Sequence, residues 1–157
     1  EGTSQAVLGE GVSGQAFADD LKSSTGQLPA FRDAAAYDAA MTVMLAALQA
    51  AERRHLSDPA LVSGSEIRDA MRSINDPKGE RINAGSSGMA RALELIAAGK
   101  PMDYQGASGP CNYDEHGDIV TQLARFTVQN GKFVDVEKFD CLKDPSCPQV
   151  HERAERR

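Results

Sequence analysis

Residues 34–48 read AAAYDAAMTVMLAAL, and this stretch decides the fold class of the chain. Larger apolar side chains recur at positions 37, 41, 44, 45 and 48, a spacing that places them on one face of a helix. The alanines between them have the highest helix propensity and allow neighbouring elements to approach closely. The sequence therefore predicts a long helix over about residues 32–55, with Arg53 and Arg54 near the negative end of its dipole.

Shorter helices and one hairpin are predicted around this helix. Helical spacing predicts one helix at 14–26 after a cap at Ser13, one from Ser63 or Ser65 to about residue 75, and one at 89–100 preceded by GSSG at 85–88. Residues 1–14 are predicted to be a loop with a strand end, and the segment between the last two helices a polar loop. Beyond Lys100 the apolar pattern changes to period two, and Asn130–Gly131 between two β-rich runs predicts a terminal hairpin.

A two-stranded hairpin is marginally stable unless further strands or an apolar face support it. We therefore expect the helices to cover β-structure that another stretch of polypeptide provides, which makes a homo-oligomer formed through an incomplete sheet a candidate assembly. The chain carries no initiating Met and no signal peptide, so we expect it to be a processed or truncated piece of a longer protein.

Composition limits the partners of the chain. It has 157 residues, 41% of them hydrophobic and 25% charged, as in a soluble globular domain. Its net charge of −6 argues against nucleic-acid binding, because the basic tail at 151–157 also contains two glutamates. No apolar run approaches the roughly 20 residues that cross a bilayer, so no membrane span is expected.

The three cysteines, Cys111, Cys141 and Cys147, leave several pairings open. Cys141 and Cys147 enclose Pro145 and could close a tight disulfide loop, whereas Cys111 with Cys141 would join two strands. Buried free thiols are the alternative. A disulfide would imply an extracytoplasmic compartment.

The stretch YQGASGPCNYDEHGD at residues 104–118 is the strongest candidate for chemistry. His116 lies among acidic residues there, but the spacing matches neither a calcium loop nor a helical zinc pair. We interpret this segment as a turn, with Gly117 supplying a positive backbone angle, and predict neither a metal nor a cofactor.

Catalytic chemistry is not predicted either. The histidines are scattered along the sequence, and a reactive Cys111 beside His116 is only a weak alternative. The GSSG at 85–88 could cradle an anion at a helix N-terminus, but simple helix capping explains it equally well. The chain is therefore predicted not to be an enzyme.

Three stretches taken together, residues 34–48, 99–118 and 124–134, resemble the C-terminal portion of the type I periplasmic solute-binding proteins of the branched-chain amino acid family, the receptors of ABC importers. The resemblance extends from about Thr3 to Phe139 and implies an α/β fold, part of a two-lobe architecture with a helix-rich segment and a C-terminal hairpin. Residues 104–118 would run toward the hinge and the hairpin would enter the second lobe. Residues 1–140 would form this portion, and residues 141–157 a tail with the candidate disulfide loop.

The resemblance implies a binding function without catalysis. It implies an amino acid or related small polar ligand, a membrane permease as partner, and a periplasmic or other extracytoplasmic location that includes a lipid-anchored full-length form. Because most ligand-contacting residues of such receptors lie outside this chain, only Phe31 and Tyr37 are candidate contacts, with a purely core role as the alternative for Tyr37. The alternative function is a sensory or scaffold domain of the same fold that assembles by strand or domain exchange.

Overall fold

The computed structural model describes residues 2–5, 12–30, 32–113, 117, 119 and 122–140. In chain order the elements are β1 (Gly2–Gln5), α1 (Val12–Thr25), α2 (Asp33–Arg53), α3 (Gly64–Met71), β2 (Glu80–Asn83), α4 (Ser86–Ala97), β3 (Met102–Gly106), β4 (Gly109–Pro110), β5 (Gln122–Gln129) and β6 (Lys132–Asp140). Short 3₁₀ turns at Pro59–Leu61 and Arg72–Ile74 flank α3.

The first sheet is built from β2, β3 and β4. Strands β2 and β3 are parallel, with Ile82 opposite Tyr104, and α4 connects them because parallel neighbours require a crossover. Strand β4 then folds back antiparallel to β3, so that Gly106 lies opposite Gly109. The helices and this sheet form one α/β layer arrangement.

Helix α2 supplies the centre of the core. Met41 and Leu45 on its buried face pack with Ile82 and Tyr104 of the sheet and with Leu95 of α4. Leu45 is fully buried, and a second cluster of alanines on the same helix packs against α3. The apolar periodicity of residues 34–48 thus has the packing role predicted from the sequence, except that Met44 faces outward.

The second sheet is antiparallel, in the order β1-β5-β6. Asn130 and Gly131 join β5 and β6 with φ values of 51° and 73°, as a type I′ turn requires, so the predicted hairpin is confirmed. Strand β1 adds the third strand, where the sequence had indicated a loop with a strand end.

Local differences from the sequence-based expectations have physical causes. Strand β2 occupies a segment predicted to be loop, because only Ile82 of its four residues is buried and no alternation marks it. Helix α1 begins at Val12, so Ser13 lies inside the helix and is not its cap. Helix α3 begins after Ser63, which forms a capping box with Glu66. Of the two candidate starting residues, Ser63 and Ser65, Ser63 is therefore the N-cap.

Helix α2 has 21 residues, three fewer than the predicted range 32–55. Its most apolar 18 residues have a mean hydropathy of 1.3, so by length and composition alone the helix could cross a membrane, which was not expected from the sequence. Half of those residues are buried inside the fold, as in the core helix of a globular domain.

Candidate functional site

The carboxyl ends of the parallel strands β2 and β3 meet at one edge of the first sheet. In open α/β sheets, ligands bind in the crevice beyond this edge. The N-terminal parts of α2 and α4 reach it, since Tyr37 contacts Gly85, two residues after β2 at the start of α4, and Asp38 contacts the turn that follows β3. We take this edge as the candidate site.

Asp38 is the most highly connected polar residue at this edge. It is 5% exposed, and its carboxylate accepts hydrogen bonds from the Tyr104 hydroxyl at 3.0 Å and from the Ala107 N–H at 2.7 Å. It also accepts from the N–H of Ser108 at 2.7 Å and from the hydroxyl of Ser108 at 2.5 Å. A buried carboxylate with four donors is fully satisfied, so Asp38 anchors the β3–β4 turn to α2.

Gly106 makes this anchor possible. A Cβ atom at Gly106 would overlap the Asp38 carboxylate, so only glycine permits helix and turn to approach this closely. Burial, followed by the nearby Asp38 and Cys111, raises the pKa of Tyr104 far above its ordinary value. Tyr104 is therefore a neutral hydrogen-bond donor at this site.

Tyr37 lies beside this anchor and faces the start of α4. Its hydroxyl accepts a hydrogen bond from the Gly85 N–H at 3.0 Å, and its ring lies 4.7 Å from that of Phe17, centroid to centroid. Burial raises the pKa of Tyr37, the carboxylates of Asp38 and Asp20 add to the increase, and the Gly85 hydrogen bond opposes it. The hydroxyl proton has no acceptor among the described residues, which leaves Tyr37 able to donate to a bound molecule.

The N-terminus of α4, where GSSG at 85–88 suggested either a cap or an anion cradle, is occupied by a side chain from α1. The Asp20 carboxylate accepts the Ser86 N–H at 2.5 Å, whereas Gly85 at the N-cap offers no side-chain cap. The expectation that GSSG caps its own helix is therefore wrong, because the cap comes from a distant carboxylate. That carboxylate already meets the positive end of the helix dipole, where an anion would bind.

Ser13 joins α1 to the same edge. Its hydroxyl donates to the Gln105 carbonyl at 2.5 Å and accepts from the Ala84 N–H at 2.7 Å. It thereby bridges the ends of β2 and β3, a role that its sequence position does not indicate.

The cysteine predictions receive a partial answer. Cys111 is a buried free thiol with 2% exposure, so the predicted pairing of Cys111 with Cys141 is not formed. Its side chain points into the core formed with Met41 and Tyr104, away from solvent. Cys141 and Cys147 lie outside the described residues, and their disulfide loop stays a prediction.

The predicted ligand contact Phe31 also lies outside the described residues, as does His116, for which a metal role was not predicted. Gly117 has the predicted positive φ of 85°, and the bridge between Tyr113 and Ile119 closes the turn around it. Within the described part of the chain, no group of three His, Cys, Asp or Glu side chains could hold a metal ion.

A surface cavity of about 420 Å³ lies at the opposite end of the first sheet. Arg53 at the end of α2 and His55 just beyond it line the cavity together with Asp76, Lys100 and Pro101. These residues lie near the amino ends of β2 and β3, where α/β sheets do not usually bind ligands.

Asp38, Gly106 and Ser108 were not singled out from the sequence. The only signal was their presence in the stretches that carry the resemblance, since 70 residues separate Asp38 from Ser108. No local pattern predicts a hydrogen bond over that separation.

Comparison with known proteins identifies the fold. No protein-family model and no curated protein matches this chain. Its structure is similar to that of a leucine-binding protein, LivK of Thermotoga maritima, with a TM-score of 0.52 and 21% identity. The match covers 88% of this chain and 30% of LivK, so the chain spans less than a third of that protein. The predicted fold class is confirmed: an α/β chain whose fold matches part of that of a leucine-binding protein.

Proposed function

We propose that this chain is part of the substrate-binding component of an ABC importer for amino acids or related small polar solutes, and that it acts without catalysis. The observation that carries the proposal is the fold shared with a protein named for binding leucine. The partner would be a membrane permease, and the location periplasmic or otherwise extracytoplasmic, including a lipid-anchored form.

Binding in this proposal depends on two lobes closing around the ligand and removing it from water. The first sheet with its helices belongs to one lobe, and the sheet β1-β5-β6 belongs to the other. Asp38 fixes the β3–β4 turn, and the chain leaves the first sheet after the short strand β4, so the crossing starts from an anchored segment.

Tyr37, and with it Phe31, is proposed to contact the ligand. The Tyr37 hydroxyl accepts from the Gly85 N–H and retains its proton, which suits donation to a ligand carboxylate or carbonyl oxygen. Its half-buried ring offers an apolar surface at the edge of the sheet where ligands bind in open α/β folds.

Isothermal titration against a panel of free amino acids tests the proposal on this chain and, if its gene encodes further residues, on the whole encoded polypeptide. We expect saturable binding of at least one amino acid by the protein as the gene encodes it. Absence of heat with every amino acid and related polar solute would contradict it.

The second candidate is a sensory or scaffold domain of the same fold that assembles by strand or domain exchange, and one observation favours assembly between copies. Val43 and Met44 on α2 are 45% and 44% exposed, although the helix is otherwise the centre of the core. A solute receptor that acts as a monomer gains nothing from this exposure.

A further inference from the structure

One face of α2 is apolar along about two and a half turns, and no described residue covers it. Ala36, Ala40, Val43 and Met44 share this side of the helix, and all four are exposed. No charged residue occurs between Asp38 and Glu52. Because covering apolar surface is worth about 25 cal/mol per Å², a partner on this face is favourable.

We propose that this face is a homodimer interface, in which α2 packs antiparallel against α2 of a second copy about a two-fold axis near Ala40 and Val43. A two-fold interface places the same patch on both copies, and a face without charges meets its own copy without burying an unpaired charge. The alanines permit the two helix axes to approach to about 8 Å, the short end of the usual range.

Charges at the two ends of the face determine the direction of pairing. Asp33 precedes Ala36 by about one turn on the same side of the helix, and Arg54 follows Ala36 by about five turns on the same line. Antiparallel packing brings Asp33 of one copy to within about one turn of the other copy's Arg54 and sets the two helix dipoles in opposition. Parallel packing would instead place the two Asp33 carboxylates together.

Arg54 is available for this contact. It already pairs with Glu66 at 3.0 Å, yet its side chain remains 48% exposed. Asp33 can also accept in this contact: among the described residues, its Oδ2 accepts the Ala30 N–H at 2.7 Å, and its Oδ1 has no donor.

The dimer is expected to be weak. A face of about two and a half turns is smaller than the surface of about 800 Å² per partner that stable complexes bury. We therefore expect weak, reversible association, with a dissociation constant on the order of micromolar. Sedimentation velocity over a concentration series across that range measures it. A monomer at every concentration overturns the proposal.

Two single substitutions locate the interface. Val43→Glu and Met44→Lys each place a charge on the face, and each is expected to raise the dissociation constant at least tenfold. Leu61→Glu is the matched control, since Leu61 is 65% exposed on a different segment, and it should leave dimerisation unchanged. An equal effect of Leu61→Glu overturns the assignment to α2. Circular dichroism confirms that each variant is folded, and having two separate variants keeps the test valid if one is not.

Asp33→Asn tests the direction of pairing. The amide oxygen can still accept from the Ala30 N–H, so the start of the helix is preserved. Antiparallel packing predicts a two- to threefold weaker dimer with a smaller dependence on salt, whereas tightening would overturn the antiparallel arrangement. The amino-acid titration repeated on Val43→Glu separates this proposal from the proposed function, because ligand binding should survive loss of the dimer.

Discussion

The carboxylate of Asp38 accepts hydrogen bonds from both the backbone N–H and the hydroxyl of Ser108, at 2.7 and 2.5 Å, although 70 positions separate the two residues. This contact fixes the turn after β3 to the first part of α2. The candidate site and the route of the chain out of the first sheet therefore depend on one buried carboxylate. Its removal should affect the whole first sheet and not only a surface loop.

Asp38→Asn should lower the free energy of unfolding by about 3 kcal/mol, because an amide nitrogen then faces donors that need an acceptor in a buried site. Urea denaturation followed by circular dichroism measures the change. Asp69→Asn is the control, since the Asp69 side chain is 68% exposed and its ion pair with Arg68 lies at the surface. The control should change stability by less than about 0.5 kcal/mol. Equal effects of the two substitutions would show that Asp38 is not an anchor.

Gly106→Ala should be strongly destabilising, because its Cβ would overlap the Asp38 carboxylate and force helix and turn apart. We expect a loss of roughly 2 to 4 kcal/mol, as for other overpacked or strained core positions. Gly64→Ala is the matched control: no atom lies within 4 Å of its added Cβ, and alanine favours the helix that begins there. Thermal unfolding of both variants measures the two losses of stability. A Gly106→Ala protein as stable as the native one would contradict the close packing of Gly106 against Asp38.

Tyr37→Phe should weaken ligand affinity several-fold and lower the free energy of unfolding by about 1 kcal/mol, the value of one hydrogen bond. The control is Tyr113→Phe, because Tyr113 is also half-buried and its hydroxyl donates to Thr42 Oγ1 at 3.2 Å. That variant should lose similar stability and keep its affinity. Titration calorimetry with a ligand found in the amino-acid panel measures both. Unchanged affinity in Tyr37→Phe would leave Tyr37 a core residue.

Stability should fall in alkaline solution because of Cys111. Burial, with Asp38 adding to it, raises the pKa of the thiol from 9.0 to about 12. The unfolded chain therefore ionises this thiol first, so its contribution to stability is complete below about pH 9 and is lost as pH rises toward about 12. The raised pKa of Tyr104 acts in the same direction, and its contribution to stability begins to fall above the ordinary pKa of 10.0.

Urea denaturation in reducing buffer at increasing pH measures this loss. Cys111→Ala should make the decline shallower by up to about 1.4 kcal/mol per pH unit, the value of one proton. Iodoacetamide should label Cys111 only after unfolding, as shown by peptide mass mapping. Labelling of Cys111 in the native protein, or an identical pH dependence in the variant, would contradict the burial of this thiol.

Local patterns in the sequence were sufficient for the regular elements with strong periodicity. The helix around Met41 and Leu45 and the hairpin at Asn130–Gly131 follow from side-chain spacing and turn chemistry, which act within a few residues. Strand β2 escaped prediction because a four-residue strand with one buried side chain has too little pattern. The cap of α4 escaped because Asp20 reaches it from another helix, 66 positions away.

By itself, then, the sequence determined where the chain is helical, where it turns back as a hairpin and which face of α2 is apolar. Only the tertiary structure decided that Asp38 accepts hydrogen bonds from Ala107 and Ser108, that Ser13 links the ends of two strands and that Cys111 is buried. The physical reason is range: helix and turn preferences are set by neighbouring residues, whereas the partner of a buried polar group is chosen when distant segments pack together and leave it no water.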